Sequence, residues 1–182
     1  MKVRPQGQRG IVIPFFRPML MRRQPAQPTG PIVSLRAGDL EVRLAATASD
    51  IDAAQALRYR VFYEGMGARP TTEMALARRD FDAYDRHCDH LLVIDHGAGA
   101  AQVVGTYRLI RRPAAAEVGQ FYSAGEYNIR KLLRGRQEVL ELGRSCVDAA
   151  HRRQPTMQLL WRGISQYVLA YDIGLMFGCA SF

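Results

Sequence analysis

A strand, a helix and a second strand follow one another over residues 139–182, and this unit constrains the fold more than any other part of the chain. Residues 139–147, Val-Leu-Glu-Leu-Gly-Arg-Ser-Cys-Val, form a predominantly apolar run of strand length. Thr156, just after Pro155, opens a helix. Met157, Leu160, Trp161, Ile164, Val168 and Tyr171 recur at helical spacing and mark its buried face. Gly174 stops it. Residues 175–182 are again an apolar strand. Two strands joined in this way are expected to lie parallel in one sheet, with a right-handed crossover.

The remainder of the chain supplies neighbours for that pair. Leu40–Leu44 alternates as a strand does. Ser49 is placed to cap a helix, with Asp52 three residues on in an imperfect capping box. Ile51, Ala54, Leu57, Val61 and Phe62 carry that helix to Glu64, and Gly65 and Gly67 end it. Residues 66–89 read as polar and irregular. Strands are expected at 91–95 and 103–110, joined by a turn at 96–99. A short strand is expected at 117–122 and a short helix at 128–133. The order predicts an α/β (α+β) domain with a mixed central sheet flanked by helices. A length of 182 residues suits one such domain.

Charge divides the chain. Residues 1–38 hold seven bases and no acid, whereas the rest holds 18 bases against 17 acids. Residues 1–39 also hold six of the nine prolines. We therefore expect a disordered, basic, Pro-rich leader over 1–39 and a nearly neutral folded domain over 40–182. The apolar patch at 11–21 is interrupted by Pro14 and Pro18 and followed by Arg22 and Arg23, the reverse of a signal peptide. It leaves a peripheral contact with the inner membrane surface as one reading of the leader. No apolar run is long enough to span a bilayer. Three widely spaced cysteines fit a reducing, cytoplasmic setting. The leader lacks aromatic interleaving beyond Phe15 and Phe16, which argues against nucleic acid as a partner.

Four groups of residues, and the basic clusters beside them, are candidates for chemistry. Glu141 and Arg144 would face opposite sides of a regular strand, but Gly143 between them invites a bulge that turns both toward one cleft. The alternative is an ion pair at a sheet edge. Asp80, Asp82, Asp85 and Asp89 form an acidic run that either binds a cation or is a solvated loop. His87-Cys88-Asp89-His90 brings ligand types together but lacks the spaced pairs of a zinc site, so no metal is expected. Cys146 and His151 are discounted as a nucleophile and its base, because a strand cysteine is usually a small buried apolar group. Of the basic clusters, Arg152-Arg153 lies just before the Thr156 helix, where an anion would be favoured.

Six motifs then occur in order: Leu57-Arg58-Tyr59-Arg60-Val61-Phe62-Tyr63-Glu64, Asp80-Phe81-Asp82-Ala83-Tyr84-Asp85, Cys88-Asp89-His90-Leu91-Leu92-Val93, Val104-Gly105-Thr106-Tyr107-Arg108-Leu109, Glu141-Leu142-Gly143-Arg144-Ser145-Cys146-Val147 and Phe177-Gly178-Cys179-Ala180-Ser181-Phe182. Over residues 40–182 the chain resembles the ornithine N-acyltransferase family, often labelled hemolysin-like, which has the GNAT fold and is related to the acyl-homoserine-lactone synthases. The resemblance implies transfer of a 3-hydroxyacyl group from acyl carrier protein to the α-amine of L-ornithine, giving lyso-ornithine lipid, the first step of ornithine lipid biosynthesis. It implies Glu141 as base, directly or through water, with Arg144 and Arg108 fixing the ornithine carboxylate or polarising the site. Asp82 and Asp85 would meet its ammonium groups, and Arg60 would hold the acidic segment. An amide freed near Gly143 would hold the thioester oxygen. Residues 148–155 lack the glycines of a CoA pyrophosphate loop. This favours the single phosphate of the carrier's phosphopantetheine arm, near Arg152 and Arg153, as donor, with no bound cofactor. Members of the family continue past residue 182, so the domain is expected to be C-terminally truncated and to leave its last strand as a bare edge. The competing readings are an acyl-homoserine-lactone synthase and a membrane-surface or nucleic-acid-binding module acting through the leader.

Overall fold

The computed structural model describes residues 8–14, 30–97, 99–152 and 154–181. In chain order the elements are β1 (Gln8–Pro14), β2 (Ser34–Ala37), β3 (Leu40–Leu44), α1 (Ala48–Tyr59), α2 (Thr72–Ala77), β4 (Asp89–Asp95), β5 (Gln102–Arg111), α3 (Arg112–Val118), α4 (Arg130–Leu133), β6 (Glu138–Val147), α5 (Gln154–Ala170) and β7 (Ile173–Ser181). A π-helical turn, Arg60–Gly65, extends α1, and 3₁₀ turns occupy Tyr122–Gly125 and Ala149–His151.

The strands make one sheet in the order β1-β7-β6-β5-β4-β3-β2. Only β6 and β7 are parallel, as a strand–helix–strand crossover requires. Helix α5 covers one face. Its Leu159, Leu160, Ile164, Tyr167 and Val168 are buried with Val42, Leu91, Val93, Leu109 and Leu140 from the strands. Close approach is possible because Gly163 has no side chain: a Cβ there would lie 2.9 Å from Val42 Cγ2. The opposite face is covered by α1 through Ala54 and Leu57 and, at the other end, by Phe121 and Ile129 packed on Ile110, Val139 and Phe177.

Helix α1 begins two residues earlier than expected. Thr47 is the cap, accepting from the Asp50 amide, and the Asp50 carboxylate returns a bond to the Thr47 amide. The same carboxylate takes a two-pronged contact from Arg43 at 2.7 and 2.9 Å, which ties β3 to the helix start. Thr47 outcompetes Ser49 because only its partner three residues on is also held by a neighbouring strand. The short strand expected at 117–122 is absent. Pro113 sits in the first turn of α3 and Gly119, at φ 99°, ends it, so this stretch is helical and then turns. Residues 66–89, expected to be irregular, contain α2, capped by Thr71.

The sheet also begins before the expected 39/40 boundary. Ser34–Ala37 pairs antiparallel with β3 and Val33 is buried, while Gln8–Pro14 pairs antiparallel with β7 from Gln8↔Ser181 to Pro14↔Leu175. The outer edge of β7, expected to be bare, is therefore occupied. A leader read from proline content misses both strands because edge strands tolerate residues that central strands exclude. Among the described residues no helix is long and apolar enough to cross a membrane.

Candidate active site

β6 is not a regular strand. Its ladder with β5 pairs Gly143 with Arg108 and Cys146 with Thr106, so Arg144 and Ser145 together oppose the single residue Tyr107. That extra residue is a bulge, and it reverses the parity that would send Glu141 and Arg144 to opposite faces. The bend is carried by Arg144, at φ 49°, and not by Gly143 as the sequence suggested. Left-handed geometry costs a non-glycine residue about 1 kcal/mol, and a network of charges holds this one. The parallel ladder of β6 with β7 ends at Glu141↔Phe177. From there the two strands border a cavity of about 890 Å³ that reaches both Glu141 and Arg144, together with Arg108, Tyr122, Trp161 and Cys179.

Beneath the cavity lies a cluster of buried charges. Arg58 places its Nη2 2.6 Å from Asp85 Oδ2 and 2.5 Å from the Asp80 carbonyl oxygen. Its Nε is 2.8 Å from Asp80 Oδ2, a charge contact without hydrogen-bond alignment. Arg108 Nη1 donates to Asp82 Oδ1 at 2.6 Å and to Asp85 Oδ1 at 3.0 Å. Gln55 donates to Asp85 Oδ2 at 3.0 Å, and Tyr63 donates to Asp80 Oδ1 at 2.8 Å. Arg144 completes the set, with Nε 3.4 Å from Asp80 Oδ2 and Nη2 3.5 Å from Asp82 Oδ2. The Tyr122 ring lies under both Arg108 and Arg144. Burial works against a charged Asp85, but Arg58 and Arg108 outweigh it and hold its carboxyl below the usual range. Burial likewise works against Arg108, and Asp82 and Asp85 outweigh it, so its pKa is raised. Burial and the Asp80 contact push the Tyr63 hydroxyl up to about 12.

Glu141 is held differently. It is only 1% exposed, yet among the described residues no arginine pairs with it directly. Its Oε2 accepts from the Tyr122 amide at 2.8 Å. Its Oε1 accepts from the Ser123 amide at 2.7 Å and from the Ser123 hydroxyl at 2.5 Å. Burial raises the pKa, and the Ser123 and Tyr122 donors only partly offset it. The result is a carboxylate poised nearer neutrality than an ordinary glutamate, a property suited to a general base.

The model for an acetyltransferase (GNAT) domain matches residues 57–162, more than half of the chain. The chain belongs to the GNAT acetyltransferase-domain family. Curated relatives are L-ornithine N(alpha)-acyltransferases from Rhizobium meliloti, 46% identical over 167 residues (89% of this chain, 56% of the relative), and from Brucella abortus, 49% identical over 156 residues (83% and 56%). The chain thus spans a little over half the length of these relatives. The solved structure of FeeM, an N-acyl amino acid synthase from uncultured soil microbes, shares the fold at a TM-score of 0.50 and 14% identity, covering 74% of this chain and 67% of that one.

Within this GNAT domain the expected site residues divide. Glu141, Gly143, Arg144 and Arg108 do border one cavity, and Arg152 stands exposed at its rim. Arg153 lies outside the described residues. Arg60 does not hold the acidic segment: it is exposed at the start of the π-helical turn after α1, and Arg58, fully buried, has that role. The helical pattern already carried the signal, since position 58 is one turn after Ala54 and beside Leu57 on the inward face. Asp85 is not open to a substrate ammonium, because Arg58, Arg108 and Gln55 occupy its oxygens and it is 4% exposed. Asp82 keeps a partly exposed carboxylate. Tyr122 and Ser123 were missed, since nothing in a Phe-Tyr-Ser-Ala-Gly stretch shows that its amides will meet a glutamate 18 residues away. His90, in the expected ligand-like run, bonds the Asp85 carbonyl oxygen at 2.9 Å and braces the acidic turn.

Proposed function

We propose that this GNAT domain acylates the α-amine of L-ornithine with a 3-hydroxyacyl group carried as a thioester on acyl carrier protein, yielding lyso-ornithine lipid. The observation that carries the reading is the bulge at Arg144–Ser145, which aims a base-like carboxylate and a guanidinium at one cavity. The identity to L-ornithine N(alpha)-acyltransferases supports the choice of acceptor.

Chemistry assigns the parts. Arg144, partly exposed, offers its guanidinium to the ornithine carboxylate, and Asp82 beside it offers a carboxylate to an ammonium. Arg58, Asp80 and Asp85 are sealed beneath, and with Arg108 at the cavity wall they keep that pair in place. The donor's arm enters where β6 and β7 cease to pair. A Cβ at Gly143 would meet nothing within 4 Å, so this glycine leaves room there for the thioester. Attack requires an unprotonated amine, and Glu141 takes up the proton that the nitrogen loses as the amide bond forms. Arg152 at the rim suits the single phosphate of a phosphopantetheine arm.

The test is direct. The purified chain is incubated with L-ornithine and 3-hydroxyacyl carrier protein, and the product is weighed by mass spectrometry, with S-adenosylmethionine as the competing acceptor. An N-acyl-ornithine mass is expected. Glu141→Gln should lower kcat by about 100-fold or more, because it removes the proton acceptor and sets an NH₂ group against either the Tyr122 or the Ser123 amide. A Gln variant with full turnover removes Glu141 as the base.

A further inference from the structure

Glu141 has a problem of access. Its carboxylate is 1% exposed, both oxygens already accept bonds, and the Ser123 hydroxyl beside it is on a residue only 2% exposed. Although Glu141 borders the cavity, its bonded oxygens are linked to it through a third residue. Cys179 lines the cavity where β7 leaves β6, and its Sγ is 3.2 Å from Ser123 Oγ, which is 2.5 Å from Glu141 Oε1. We propose that Cys179, Ser123 and Glu141 form a proton relay that carries the amine's proton inward to the carboxylate and returns it to the departing sulfur of the donor. The inference rests on the thioester-to-amine reading given above.

The direction of the hydrogen bonds fits. An ionised carboxylate only accepts, so the Ser123 hydroxyl hydrogen points to Glu141. Ser123 Oγ then has its lone pairs free for the thiol, and Cys179 S–H donates to it. Burial pushes the Cys179 thiol up, which keeps it protonated at neutral pH. The chain is therefore loaded in one sense, from cavity to carboxylate.

Transfer runs in two balanced stages. The amine nitrogen bonds to the thioester carbonyl carbon, giving a tetrahedral intermediate with a cationic nitrogen and an anionic oxygen. One nitrogen proton passes to Cys179 Sγ as the thiol proton passes to Ser123 Oγ and the hydroxyl proton to Glu141 Oε1. The carbonyl then re-forms and the C–S bond breaks, with its electron pair left on the donor's sulfur. The same protons step back, and the last reaches that sulfur. The amine's proton has become the free thiol's proton, and Glu141 is a carboxylate again. Nitrogen and sulfur share one carbon in the intermediate, so a single group can serve both. Cys179 touches the reacting atoms, and Ser123 acts through it.

The experiment compares two donors: the 3-hydroxyacyl thioesters of N-acetylcysteamine, an alkyl thiol that leaves poorly as an anion, and of thiophenol, which leaves well without a proton. Ornithine is the acceptor and kcat the readout. Cys179→Ala should slow the alkyl thioester by about 100-fold and the aryl thioester far less. Cys179→Ser retains a transferable proton and should bring the ratio of the two back toward wild type. Ser123→Ala breaks the chain at its middle and should repeat the alanine pattern if Cys179→Ala fails to fold. Equal loss with both donors, or no loss with either, overturns the relay while leaving acyl transfer standing. A wild-type chain inert toward ornithine with both esters overturns the acyl-transfer reading and the relay together.

Discussion

Arg144 holds a left-handed backbone that glycine would adopt without strain, while Gly143 next to it lies outside that region. The two tasks at position 144, shaping the bulge and presenting a guanidinium, can be separated. Arg144→Ala and Arg144→Gly lose the same charge but differ in the backbone. Arg144→Gly should resist urea better, by about 1 kcal/mol, while both fall in activity; an alanine variant as stable as the glycine one would show that the bend is unstrained. Ser123 tests the poise of Glu141. Burial raises this carboxyl, and the Ser123 and Tyr122 donors lower it. The folded state therefore binds the proton more tightly than the unfolded chain. Stability from this group is greatest below the ordinary glutamate range and declines as pH rises through the raised value, whereas the proposed base becomes competent over that same rise. Ser123→Ala removes the hydroxyl's lowering bond and keeps the two amide bonds, so the acidic limb of kcat/KM should move to higher pH. A limb that stays in place would mean that Ser123 does not tune the base.

At the scale of elements, the β6–β7 pair is the sensitive joint. A Cβ on Gly178 would run into the Leu142 carbonyl oxygen, backbone that cannot swing aside, whereas a Cβ on Gly143 meets open cavity. Gly178→Ala should therefore destabilise the fold by about 1–3 kcal/mol in thermal or urea unfolding. Gly143→Ala should stay within about 0.5 kcal/mol of wild type and instead raise KM for the donor. Reversal of the two effects would place the cavity elsewhere. The crossover itself was legible, because a strand, a capped helix and a strand in sequence leave one hand of connection. The strand at the outer edge of β7 was not, because edge pairing depends on which segment reaches it and leaves little trace in composition.

For the whole molecule, the buried ionic cluster is the strongest commitment. Removing Arg58 strands Asp80 and Asp85 without their main counter-charge, and the loss expected for breaking such a pair is about 3–5 kcal/mol. Asp85 also fixes a pH dependence. Its folded pKa is lowered, so the stability it contributes is complete above the ordinary aspartate range and is lost as pH falls through the lowered value. Arg58→Ala should unfold at markedly lower urea at pH 7 and show a flatter decline on acidification. A variant as acid-sensitive as wild type would locate the dependence in other carboxylates. Such a cluster joins α1, the turn before β4, β5 and β6, so it gives the cavity a rigid floor.

Local rules operating over a few residues were enough to set the parallel crossover, the helical faces and the set of acids and arginines from which a site would be drawn. Which arginine met which aspartate depended on distances across the sheet. Asp82 and Asp85 look equivalent in the chain, yet Asp85 is sealed and Asp82 stays partly exposed. Position 58, not 60, turned inward because the rest of α1 had apolar surface to bury. The pairing of Glu141 with the Ser123 amide, and of Ser123 with Cys179, joins segments 18 and 56 residues apart. Side-chain periodicity is a property of one element, whereas proton paths and buried charge pairs belong to the packing of several, and only folding brings those together.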